Sequence, residues 1–112
     1  MANDFKSATA TSLAIDSGTY TTLYTAPGSK TSIILEVDIA NKHSADITAS
    51  VLISDSSGSN DAFIVKAAPV PIGGALKVVS GQKIVMETGD VLKAAASVAS
   101  AADAVVSILE DV

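Results

Sequence analysis

Few residues in this 112-residue chain could do chemistry, and their spacing is the place to begin. The one histidine, His43, sits in a polar stretch between Lys42 and Ser44, with Asp38 and Asp46 near in sequence. A general base needs a partner that orients it and a pocket that holds the substrate. A histidine in a polar turn has neither by default, and the sequence assigns it no catalytic role. Glu36 and Asp38 stand two apart on a predicted strand. Their side chains then project from one face with Cβ atoms about 7 Å apart, a placement reminiscent of glycosidase acids. A solvated strand face, or a salt bridge to lysine, is the simpler expectation.

The best metal candidate is Asp55-Ser56-Ser57-Gly58-Ser59-Asn60-Asp61. Hard oxygen ligands at alternating positions, here Asp55, Ser57, Ser59 and Asp61, suit Ca²⁺. The stretch lacks the closing glutamate of an EF-hand, and the same residue types fill ordinary exposed turns. There is no Gly-x-Ser-x-Gly, and Gly73-Gly74 lacks the lysine and hydroxyl of a phosphate loop. With no cysteine, thiolate catalysis, disulfides and cysteine-based metal sites are excluded. The sequence therefore predicts no enzyme, no cofactor and no catalytic residue.

The elements that would position these residues read as strands. Ile33, Leu35, Val37 and Ile39 alternate with Ile34, Glu36, Asp38 and Ala40, and a second run places Ile47, Ala49, Val51 and Ile53 on one face. A period of two marks a half-buried strand. The polar link 41–45 predicts that these two runs pair as a hairpin. Further short strands are expected over 19–25, 62–68, 76–79, 83–88 and 91–98, with a last one over 104–110. Between them lie turn signals: Pro27-Gly28, Gly73-Gly74, Ser80-Gly81-Gln82 and Gly89-Asp90. Pro69 and Pro71 must end the strand over 62–68 or place it at a sheet edge. The alanine-rich region 94–109 has a helical alternative, because alanine is the best helix former. Val98, Val105, Val106 and Ile108 favour two strands with a turn around 100–103. The resulting expectation is all-β: a single antiparallel β-sandwich or jelly-roll-like domain of about eight short strands over residues 13–112. Residues 1–12, small and polar, are expected as an arm or flexible segment, with an ordinary first strand as the alternative.

Composition narrows the function. Aromatic residues make up only 4%, so the core must be built from Ile, Val, Leu and Ala. The net charge is −5, and the seven basic residues are all lysine and scattered. Nucleic-acid readers cluster lysine and arginine with stacking aromatics, so nucleic acid is not expected as a partner. No apolar run approaches the length of a membrane helix, and no signal peptide opens the sequence.

One resemblance adds to this reading. Leu23-Tyr24-Thr25-Ala26-Pro27-Gly28-Ser29-Lys30-Thr31, followed by 33–41, resembles the opening of small virion proteins of tailed bacteriophages. The link 67–76 with Pro71 and Gly73-Gly74 is similar to theirs. So are Gly81-Gln82-Lys83-Ile84-Val85-Met86, Gly89-Asp90-Val91-Leu92-Lys93-Ala94 and the closing 103–110. The resemblance implies a non-enzymatic β-sandwich present in many copies in the virion, assembled in the host bacterial cytoplasm. It would act as a capsid decoration or cement subunit bound to the major capsid protein or other virion subunits. Self-association is implied, with a trimer as the family's usual symmetry. A tail, neck or fibre-associated module, binding a receptor or glycan, is the alternative placement.

Overall fold

The computed structural model describes residues 3–29, 31–55 and 60–111. Eight strands form among them: β1 (Asn3–Ala10), β2 (Thr21–Thr25), β3 (Ser32–Asn41), β4 (Ile47–Asp55), β5 (Asn60–Val70), β6 (Ala75–Met86), β7 (Val91–Ala96) and β8 (Ala102–Asp111). They build two four-stranded antiparallel sheets, a front sheet ordered β1-β8-β3-β6 and a back sheet ordered β2-β7-β4-β5. The pairings β1–β8, β2–β7, β3–β6 and β4–β5 are nested one inside the next. Only β4–β5 is joined within a sheet; every other connection crosses to the opposite sheet. This is the strand order of a jelly roll, a long hairpin rolled on itself.

The core between the sheets is aliphatic, as the composition requires. Leu13, Ile34, Val37, Ile39, Val51, Val79, Met86, Leu92, Val106 and Ile108 are fully enclosed. Residues 94–109 are strand and turn rather than helix. The reason lies in packing: Leu13–Asp16 crosses directly beside β7. Asp16 N–H donates to Ala96 O at 2.8 Å and Ala96 N–H donates to Ala14 O at 3.0 Å. Ala94, Ala95 and Ala96 are all buried there. Small side chains leave room for a second backbone, and that requirement outweighs helix propensity.

The predicted β3–β4 hairpin does not form. The two strands lie in different sheets and face each other across the core, and 42–46 is a corner. Buried Asn41 ties this corner. Its Nδ2 donates to Ala45 O and Val70 O, each at 3.0 Å, and its Oδ1 accepts from His43 N–H at 2.8 Å. The expected face of β3 is also only half correct. A bulge between Ile34 and Glu36 reverses the alternation, so Ser32 and Ile34 point inward before it and Val37 and Ile39 after it.

Two further expectations change. Ser80-Gly81-Gln82 is no turn; 75–86 runs as one strand whose register against β3 shifts there. Asn3–Ala10, expected within an arm or flexible segment, is an edge strand in step with β8 over its whole length. β5 does lie at an edge, with Pro69 opposite Thr48.

Candidate functional site

The outer face of the front sheet carries the largest organised feature. The register sets Phe5 beside Leu109, Leu109 beside Ile33 and Ile33 beside Val85. These four side chains make an apolar row across every strand of the sheet, about 14 Å long at ordinary strand spacing. Its ends are open to solvent: Phe5 is 78% exposed and Val85 60%. Two pleats away the face is mixed. Thr9, exposed Val105, Asp38 and Lys77 form the corresponding row there.

Behind the apolar row, between the sheets, lies a buried polar clasp. Glu110 of β8 is 2% exposed and Ser32 of β3 fully enclosed. Tyr24 reaches over from β2 in the back sheet. Its hydroxyl donates to Glu110 Oε2 and lies 2.7 Å from Ser32 Oγ. Lys6 Nζ approaches Glu110 Oε1 at 3.1 Å. Burial, reinforced by the hydrogen bond to Glu110, pushes the Tyr24 hydroxyl up to about 12. A general acid or base should titrate near the operating pH, and this phenol is moved away from it. The clasp joins the two sheets.

The opposite end of the front sheet has its own tie. Asp103 Oδ1 accepts from Ser12 N–H at 2.9 Å and pairs with Lys42 Nζ at 2.8 Å. The Lys42 ammonium and the Ser12 N–H hold the Asp103 carboxyl below the usual carboxylate range. Ser12 sits there with φ of 57°.

On the back sheet, Tyr20 and Phe63 meet edge-to-face with centroids 6.2 Å apart, and Lys66 Nζ lies 4.6 Å from the Phe63 centroid. Beside them Ser50 Oγ donates to Asp16 Oδ2 at 3.0 Å and accepts from Ala67 N–H at 2.9 Å. Ala67 holds φ of 52°, in the register shift between β4 and β5. Ser50 thus satisfies the backbone of a bulge.

The residues singled out from sequence do not gather into one site. Lys77 lies 3.6 Å from both Glu36 and Asp38, the salt-bridge outcome. Asp46 Oδ1 accepts from Ile72 N–H at 2.8 Å. Both carboxylates considered for His43 therefore have other engagements. Of the Ca²⁺ candidates, Ser57 and Ser59 lie outside the described residues, while Asp55 ends β4 and Asp61 is the second residue of β5. Among the described residues no group of three His, Cys, Asp or Glu side chains is placed to hold a metal.

No family model, curated protein or solved structure matches this chain. The apolar row and the clasp beneath it escaped the sequence reading. Both depend on which strands are neighbours, and the bulge in β3 hid the outward face of Ile33.

Proposed function

We propose that this chain is a non-enzymatic structural subunit of a bacteriophage virion, a decoration or cement protein that binds the capsid and stabilises it. The observation that carries the reading is the apolar row Phe5–Leu109–Ile33–Val85 on the outer sheet face, exposed at both ends. Ordered apolar surface of this kind marks contact sites. The jelly roll supports the reading without deciding it, since viral capsid proteins, lectins and cupins all use it. The resemblance of 23–41 and 81–94 to phage virion proteins points the same way.

Binding to the folded shell stabilises it by mass action, and many copies multiply weak contacts. The test uses particles of the source phage, or emptied heads with the purified protein added back. Added protein is expected to sediment with the heads and raise their melting temperature. Val85→Asp, which puts a charge into the row, should weaken this binding about tenfold. Heads that neither bind the protein nor gain heat resistance would remove the proposal.

The Tyr20–Phe63 pair with Lys66 favours a second reading, a tail or fibre module that stacks a sugar ring on an exposed aromatic. Binding of the isolated protein to host-surface glycans, abolished by Phe63→Ala, would select it over the capsid.

A further inference from the structure

A β-sandwich has four exposed sheet edges, and three of them are blunted here. β2 is only five residues long and its register with β7 shifts between Thr22 and Tyr24. β5 carries Pro69, Lys66 and the left-handed Ala67. β6 shifts register twice against β3 and carries Lys77 and Lys83. Short strands, bulges, proline and lysine are the usual defences against edge-to-edge pairing. β1 carries one lysine, Lys6, but has neither proline nor glycine, and its eight residues stay in step with β8 from Asn3 to Ala10 without a shift. It offers an unbroken ladder edge.

We propose that this edge pairs with the same edge of a second copy of the chain, antiparallel about a two-fold axis centred on Phe5. An axis normal to the sheet makes one residue face its own mate, with the neighbours pairing reciprocally. Centring on Phe5 sets Asp4 opposite Lys6 of the partner copy and Lys6 opposite Asp4 of the partner copy. Centring on Asp4 or on Lys6 would oppose like charges, which is destabilising. Centring on Ser7 pairs Asp4 with Ala10 and Phe5 with Thr9, with neither charge nor aromatic matched. The Phe5 register alone also stacks ring on ring, a favourable cross-strand pair.

The side chains are accessible. Phe5 is 78% exposed, and half of the Lys6 side chain is accessible while it holds Glu110. Pairing carries the apolar row of one copy into that of the next, giving an eight-stranded sheet with one continuous apolar line. The inference goes beyond the capsid reading and stands without it. A two-fold dimer also differs from the trimer that the phage resemblance implies.

Sedimentation of the full chain tests it, together with cysteine cross-linking in a chain that has no cysteine of its own. A concentration-dependent dimer is expected. Phe5→Cys should cross-link readily under mild oxidation, because directly opposed residues have Cα atoms within disulfide reach; Thr9→Cys should not. Asp4→Lys turns both symmetric attractions into repulsions and should weaken the dimer about tenfold or more. Asp4 and Phe5 are exposed, and unchanged thermal melting of the variants shows that the fold is kept. A chain that stays monomeric at millimolar concentration, a trimer, cross-linking at Thr9→Cys in place of Phe5→Cys, or a dimer indifferent to Asp4→Lys would each overturn the proposal. None of these measurements involves a capsid, so failure here is separate from failure to bind heads.

Discussion

Tyr24 spans the two sheets, so its protonation is tied to their union. Its ordinary value of 10.0 rises to about 12 in the fold. A raised value means that the folded state favours the neutral phenol. That contribution is complete below about pH 10 and is lost as pH climbs through about 12. Unfolding free energy should therefore fall across this alkaline window, and Tyr24→Phe should flatten the fall. At neutral pH the same substitution should cost about 1–2 kcal/mol, because buried Glu110 and Ser32 lose a partner. Urea titrations of both proteins at neutral and alkaline pH measure the difference. Ala67 works in the opposite sense. Its φ of 52° is strained for an L-residue, so Ala67→Gly should stabilise by up to about 1 kcal/mol in the same titration. Neither residue was legible in the sequence. Tyr24 and Glu110 are 86 positions apart, beyond any local spacing rule, and an alanine gives no sign of a left-handed turn.

The elements were more legible than the residues. Period-two patterns located the strands, and β-branched residues gave the correct state for 94–109 against the pull of alanine. The β3–β4 hairpin failed because a strand with one apolar face looks the same whether its successor lies beside it or across the core. The expected number of strands was matched only because β1 was added while β6 absorbed two predicted strands into one. The bulge in β3 has a direct test. Ile34 is fully buried, whereas Ile33 lies on the outer face. Ile34→Ala should cost about 2–5 kcal/mol, the usual loss for a core isoleucine, and Ile33→Ala about 1 kcal/mol or less. A larger loss at Ile33 than at Ile34 in chemical denaturation would mean that the alternation runs unbroken through Leu35.

Across the whole molecule, the nested pairings place most strand contacts between distant parts of the chain, ending with the first strand against the last. Loop closure must precede most of the stabilising contacts, so refolding should take milliseconds to seconds, as for other β-sandwiches. Stopped-flow fluorescence of Tyr20 and Tyr24 should follow it; microsecond refolding would contradict this topology. The apolar row belongs to this scale too, since it exists only once four strands are side by side. The pairing of Asn3 with Asp111 has a mechanical side. The two ends of the described chain enter and leave at one corner, on neighbouring strands. Tension applied through them loads the ladder one hydrogen bond at a time, so β1 peels from β8 like a zipper rather than resisting in shear. A fastening that must bear load would have to grip the faces of this domain instead of its ends.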